Sequence, residues 1–304
     1  MNKIYTIKID YVGTRVDRWF KKNINEVPQS LIEKNIRKGN IQVNNKKNKS
    51  SYKVQKDDQI IIKNLNFTLS KITKNKTNYV ATKKELSSSS NMFIEDNENF
   101  VVINKPAGIA VQAGTKSKRN ILDILRGTRQ FENMSPYTVH RIDKETTGVL
   151  IVAKNRKYAQ LFTSLFRIRK IHKTYLGIVL GNLKVNKGKL IDELLYYEGE
   201  KRIKSKAVTR FTVIDTNNNY SLLKLNPETG RKHQLRKQLL IHGNPILGDS
   251  KYRILGKHRS KKYGLMLHSY KINFSIAGIK YKFSAELPLV FRNILKEKNL
   301  KSFF

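Results

Sequence analysis

The sequence predicts an α+β protein: a small basic unit of helices and a hairpin, then a larger domain on a mixed, largely antiparallel sheet. Three observations carry this. Short β-branched segments, such as 149–153 and 174–180, are bounded by turn residues. Successive strand-like segments are joined by short turns, which favours antiparallel neighbours over long crossovers. The texture changes across 65–90, a stretch without sustained period that ends in four serines and reads as a linker between 1–64 and 91–304.

Within residues 1–64, positions 1–13 alternate apolar and polar side chains around Asp10 and read as a strand. A signal peptide would need a continuous apolar stretch there. Val16, Trp19 and Phe20 repeat at helical spacing. Ser30 precedes Leu31-Ile32-Glu33 and is placed to cap a second helix, with Glu33 completing a capping box and Gly39 ending it. Positions 41–43 form a strand, Asn44-Asn45 a turn in which asparagine tolerates positive φ, and 54–62 the returning strand. Arg15, Arg18, Lys34, Arg37 and Lys38 give the two helices a basic surface suited to an RNA backbone.

In 91–304, strands are expected at 100–104, 149–153, 174–180, 207–214, 220–225 and 271–286, and helices at 120–126, 156–168 and 232–242. Lys105-Pro106-Ala107-Gly108 reads as a turn.

Charge narrows the function. The 304 residues carry 61 Lys+Arg against 23 Asp+Glu, a formal net charge of +38. A globular chain that basic repels itself unless a polyanion neutralises it, and nucleic acid is the usual polyanion. The excess is spread over both domains, net +9 in 1–64 and +25 in 91–304. The absence of cysteine excludes disulfides, thiolate zinc sites and a cysteine nucleophile. The six histidines show no HExxH spacing, so no metal site is expected. No apolar run approaches the ~18 residues of a membrane span. The expectation is a soluble, cytoplasmic protein without membrane contact.

Two segments carry chemistry. In His140-Arg141-Ile142-Asp143-Lys144-Glu145-Thr146-Thr147-Gly148, a polar loop runs into the apolar strand at 149–153. Such a loop holds a side chain rigidly at the mouth of a cleft. Asp143 is the natural candidate, because a carboxylate is a competent nucleophile or base without metal or cofactor. His140 and Arg141 are placed to grip a phosphate. On residues alone, an ordinary surface ion pair competes with this reading. In the second segment, 228–236, Arg231, His233, Gln234 and Arg236 cluster at the first turn of a helix. The macrodipole is positive there, so cations at that end suggest an anionic partner; solvated charges on a basic protein are the alternative. Tyr175 lies on a strand, where core packing is the commoner role.

Together these segments resemble the pseudouridine synthases of the RluA/RluC group, which modify large-subunit ribosomal RNA. The family loop HRLDxxTSG appears as HRIDKETTG at 140–148. The later motifs TGRxHQ(L/I)R and GxPIxGDxxY appear as TGRKHQLR at 229–236 and GNPILGDSKY at 243–252. The opening VVINKPAGIAVQAGT and the closing LMLHSYKINF and ELP fit too, so the resemblance spans about 98–288. Positions 14–62 resemble the αL RNA-binding domain, departing at Asn45, where glycine is usual. Elsewhere Ile142, Thr147 and Lys232 replace Leu, Ser and Thr, and Lys237-Gln238 stands where Val-His is common, a change expected to alter which RNA is gripped.

The resemblance implies a pseudouridine synthase fold and isomerisation of uridine in structured RNA, large-subunit ribosomal RNA first. By it Asp143 is the nucleophile, Arg236 the cation holding it ionised, and Tyr175 the ring that stacks on the target base and assists proton removal. Arg141, with His140 beside it, fills the space a flipped base leaves, and Arg231 and Gln234 support the pocket. The reaction is an isomerisation, so no cofactor follows, and no obligatory protein partner is evident. The rival readings are a non-catalytic RNA-binding ribosome assembly factor and, on charge alone, a DNA-binding protein.

Overall fold

A computed structural model describes residues 2–24, 27–63, 79–113, 119–198, 201–217, 219–254 and 263–301. The chain divides into two compact units, Met1–Asn78 and Tyr79–Phe304.

The smaller unit runs β1 (Lys3–Thr6), α1 (Val16–Asn23), α2 (Gln29–Lys38), β2 (Ile41–Val43) and β3 (Gln59–Ile62), with sheet order β1-β3-β2, all antiparallel. Val16, Trp19 and Phe20 of α1 and Ile32 and Ile36 of α2 pack on Ile41, Val43, Ile60 and Ile62. Asn44 and Asn45 take φ of 52° and 61°, as expected of the turn. Three expectations change. The first strand stops at Thr6 and gives way to a 3-10 turn at Ile9–Tyr11. The capping box at Ser30 does not form: α2 begins two residues earlier, with Pro28 rather than Ser30 at the N-cap, and Glu33 instead accepts from the Gln29 side chain at 3.0 Å. Pro28 fixes φ at −52° and has no N–H for a first-turn side chain to reach back to, so no capping box forms around it. Arg15 is tied to buried Asp17 at 2.6 Å, whereas Arg18, Lys34, Arg37 and Lys38 are exposed.

Of the stretch read as a linker, 65–78 lies outside the described residues. Residues 82–90 are not irregular. Helix α3 (Lys83–Ser89) carries three of the four serines, and Thr82 and Glu85 make the reciprocal capping box that starts it.

The larger unit continues with β4 (Phe93–Asp96), β5 (Phe100–Lys105), α4 (Ile121–Arg126), β6 (Tyr137–Thr138), β7 (Thr147–Ala153), α5 (Arg156–Arg167) and β8 (His172–Leu180). It closes with β9 (Lys187–Glu198), β10 (Lys201–Thr216), β11 (Tyr220–Pro227), α6 (Gln234–Ile241), β12 (Leu267–Ile276), β13 (Ile279–Ser284) and α7 (Leu289–Glu297). The sheet order is β4-β5-β7-β12-β8-β11-β10-β9, with β6 on β7 and β13 on β12. Among the described strands only β7 and β12 pair in parallel, through His268 opposite Thr147 and Ser269 opposite Gly148.

Both faces of the sheet centre are covered. Phe100, Val102, Val149 and Ile151 meet Phe162 of α5, while Val101, Ile103, Leu150 and Val152 meet α4 through Ile121, Ile124 and Leu125. This period-2 split explains why every residue of β7 is buried. Helices α6 and α7 cover the other half of the sheet, with Leu235, Leu239, Phe291 and Ile294 against Leu176, Ile178, Leu223 and Leu225. The segment 271–286 is a hairpin turning at Ala277-Gly278 rather than one strand.

Candidate active site

One row of the sheet sets the site. Leu225, Tyr175, Ser269 and Gly148 lie side by side on β11, β8, β12 and β7. The row brings the 140–147 loop, which feeds β7, against the tyrosine of β8. The loop following β11 turns into α6 and delivers Arg236 to the same place.

Several contacts fix the loop. Gly148 has φ +105°, and a Cβ there would lie 2.2 Å from the Ser269 carbonyl oxygen, so only glycine permits the β7–β12 crossing. Thr147 Oγ1 lies 2.8 Å from Nδ1 of buried His268, whose Nε2 lies 3.2 Å from the Ala285 carbonyl. The carbonyl needs an N–H, so Thr147 donates to Nδ1. Burial pushes the His268 imidazole down to about 4, keeping it neutral. Lys105, fully buried, donates to the carbonyls of Pro106 at 2.7 Å, Ile109 at 2.9 Å and Lys144 at 3.1 Å. Burial lowers its ammonium to about 8, against weaker support from Glu145 and Asp143. The segment read as a plain turn therefore clamps the Asp143 loop from beneath.

Asp143 is partly exposed in a cleft of about 1170 Å³. Arg236 Nη1 donates to its Oδ2 at 3.1 Å. The same guanidinium forks onto Asp249, with Nε to Oδ2 and Nη2 to Oδ1 both at 2.7 Å. Burial opposes the Arg236 charge, but Asp249 and then Asp143 outweigh it and push the guanidinium pKa up. Burial likewise opposes the Asp249 charge. Arg236, with the N–H groups of Tyr252 and Lys251, overrides it and holds the carboxyl below its ordinary range. Gly248 makes the turn possible: at φ +77°, a Cβ would sit 2.0 Å from the Gly264 carbonyl oxygen.

Tyr175 lines the cleft, and its phenol is pushed up to about 12 by burial and by the Asp143 charge, against an opposing hydrogen bond with Ser269. Arg141 is exposed at the rim, and Arg231 is exposed with its Nε on the Lys206 carbonyl at 3.2 Å. Arg167, Arg169, Lys173 and Arg210 add positive charge to the wall.

Two expected residues take other parts. His140 stacks on Phe166 at 4.6 Å, and its Nε2 accepts the Ile151 N–H at 2.8 Å. Burial, with Lys173 nearby, lowers it to about 3, so it is a neutral wall residue and not a cation for phosphate. Gln234 is buried. Its oxygen accepts from Thr229 Oγ1 at 2.7 Å and the Arg231 N–H at 3.0 Å, and its nitrogen donates to the Val208 carbonyl and Thr209 Oγ1. It braces the loop against β10 and presents no free polar atom. Lys237 and Gln238 bind Leu195 and Leu190 carbonyls of β9, respectively, so these departures dock a strand and do not line the cleft.

Asp249, Tyr252, Lys105 and His268 went unassigned by sequence reasoning. All four lie inside the motifs quoted above, and the Gly-Asp turn at 248–249 is the clearest local signal, since a carboxylate after a glycine held at positive φ is a fixed acceptor.

The fold is that of the pseudouridylate synthases. A solved structure of human RNA pseudouridylate synthase domain containing 4 superposes with a TM-score of 0.61 at 26% identity, covering 71% of this chain and 96% of that one. The ribosomal large subunit pseudouridine synthase C of Buchnera aphidicola subsp. Schizaphis graminum is 32% identical, with 96% of each chain covered. The enzyme of the same name from Rickettsia conorii is 31% identical over 92% of this chain and 96% of its own. The sequence pattern of RNA pseudouridylate synthase matches residues 99–240. The chain belongs to the RNA pseudouridylate synthase family.

Proposed function

We propose that this protein converts uridine to pseudouridine in large-subunit ribosomal RNA, with Asp143 as nucleophile. The names of its relatives support the substrate. The observation that carries the residue assignment is the Asp143–Arg236–Asp249 chain. A partly exposed carboxylate faces the cleft, its cation anchored by a buried second carboxylate. Arg236 is fixed before RNA arrives, so little reorganisation is needed when substrate displaces water.

The N1–C1′ bond of uridine breaks and a C5–C1′ bond forms, while C5 loses a proton and N1 gains one. Atoms and electrons balance without a donor. The target base leaves its helix, at a cost of a few kcal/mol, and stacks on the Tyr175 ring while it turns. With its phenol held neutral, Tyr175 acts first as a stacking surface. Arg141 enters the space vacated by the base, and the rim cations, with Lys34, Arg37 and Lys38 of the small αL-type unit, bind phosphates.

Tritium release from [5-³H]uridine-labelled ribosomal RNA tests the reading. Asp143→Asn is expected to abolish release with RNA affinity changed by less than about threefold, because only one side chain of a large interface is altered. Substantial release by that variant refutes the assignment.

A further inference from the structure

His233 occupies an odd position. It directly precedes α6 with φ 54° and ψ 32°, in the left-handed region, and its side chain makes no capping hydrogen bond. Serine, threonine, aspartate or asparagine would cap this helix, and a non-glycine residue at positive φ carries strain. What the conformation achieves lies in the cleft. The imidazole Nε2 is placed 3.7 Å from Asp143 Oδ1, while Nδ1 lies 2.9 Å from the Tyr252 hydroxyl.

The proton arrangement follows from these two distances. An imidazole whose Nδ1 accepts from Tyr252 carries its single proton on Nε2 and points an N–H at the carboxylate. The opposite tautomer would aim a lone pair at an anion. Burial, joined by Arg236, Lys251 and Lys232, outweighs the pull of Asp143 and holds the ring below its ordinary pKa, hence neutral near pH 7. Burial first, then Asp143 and Asp249, raises the Tyr252 phenol against Arg236, so it keeps its proton to donate. Tyr252 is itself fixed: its N–H donates to Asp249 at 2.9 Å, and the Arg236 guanidinium lies 5.1 Å from its ring centroid.

We propose that His233, set in one tautomer by Tyr252, is a second positioning residue for the nucleophile. Arg236 takes Oδ2, and the His233 Nε2–H closes on Oδ1 when RNA fills the cleft, fixing the plane of the carboxylate. The separation of 3.7 Å is long for a hydrogen bond, but such contacts tighten in the substrate complex. The inference rests on Asp143 being the nucleophile.

The test compares His233→Leu with His233→Gln in the full-length protein. Both carry the same backbone strain, but Gln keeps an N–H near the Nε2 position. Single-turnover tritium release and RNA affinity are measured at fixed salt, with urea midpoints as a folding control. Loss of one hydrogen bond to a charged group predicts a rate about 10–100-fold lower for Leu, unchanged affinity, and recovery by Gln to within about fivefold. Tyr252→Phe is expected to slow turnover by about fivefold alone and by nothing further beside His233→Leu, since the two act as one unit. Equal losses for Leu and Gln, full activity of Leu, or additive effects of Tyr252→Phe overturn the proposal. Asp143→Asn is run in parallel. If it is inactive while His233→Leu is normal, this inference alone fails; if it is active, the nucleophile assignment fails and takes the inference with it.

Discussion

Asp249→Asn isolates the anchor of the site. The Asn oxygen keeps the acceptor used by the Lys251 and Tyr252 N–H groups, both at 2.9 Å. What is lost is the charge and the 2.7 Å bond from Arg236 Nε to Oδ2, where an amide N–H₂ now stands, while Nη2 keeps its acceptor at Oδ1. Breaking a buried pair by removing one partner costs about 3–5 kcal/mol. Arg236 still reaches Asp143 at 3.1 Å, so the guanidinium is not left unpaired, and the lower end, about 3 kcal/mol, is expected. The consequence for turnover is larger than for binding. A guanidinium free to shift by about 1 Å no longer presents Asp143 correctly, which corresponds to roughly 10²-fold in rate. Urea unfolding reads the first quantity, and single-turnover tritium release the second. Asp249 is held below its ordinary pKa, so its share of stability is present at neutral pH and lost as pH falls through the folded-state value. The gap between wild type and variant should therefore narrow in acid. A variant within 1 kcal/mol of wild type and within about twofold of its rate would remove the anchor from the mechanism.

Three further outcomes are expected. Burial lowers Lys105 to about 8 from the ordinary 10.5, so between those pH values the unfolded chain binds more protons and the cost of burying the charge, about 3 kcal/mol, is progressively relieved. The stability of wild type relative to Lys105→Met should thus grow from pH 8 to 10.5, and a flat or shrinking difference in urea titrations contradicts the burial argument. Gly148→Ala should destabilise by more than about 2 kcal/mol and lower activity, because positive φ and the Ser269 carbonyl both exclude a Cβ; thermal melts near wild type would show that β12 can move aside. Replacing Lys34, Arg37 and Lys38, an exposed i, i+3, i+4 stripe on α2, by Gln should weaken RNA binding and reduce the log–log salt slope by about 2–3. An unchanged slope means the stripe does not touch phosphate.

Strands with continuous apolar runs were legible in the sequence. The runs at 100–104, 149–153 and 174–180 all formed, each extended by one or two residues at its ends. β9 escaped because its inward residues, Leu190 and Leu194, are diluted among charged neighbours on a solvated edge. The serine run misled because serine is a weak helix breaker, and the Thr82–Glu85 box outweighs it. In the site, Asp143, Tyr175 and Arg236 were named from motifs, and the fold brings them to one cleft. Asp249 could not be paired with Arg236 by periodicity, because the two stand 13 positions apart across a glycine turn. His140 was read by residue type as a phosphate grip. Its burial against Phe166 and its bond to the Ile151 N–H decide otherwise, and no local pattern encodes that.

The electrostatics of the cleft answer a difficulty that sequence alone leaves open. A nucleophilic carboxylate must stay ionised while a polyanion closes over it. One guanidinium serves both Asp143 and Asp249, so the three groups together carry a net negative charge. That charge would repel phosphates if it faced them bare. On the proposed function, Arg141, Arg167, Arg169, Lys173 and Arg231 on the cleft walls reverse the field that an RNA backbone would meet, while Asp143 faces into the cleft. The exposed cations of this set are open to screening, with a Debye length of about 8 Å at physiological salt, whereas the buried Arg236–Asp249 pair is screened far less. On this reading the chain separates two tasks by depth: charges at the rim recruit RNA and yield to salt, and charges at the floor hold the proposed nucleophile and do not.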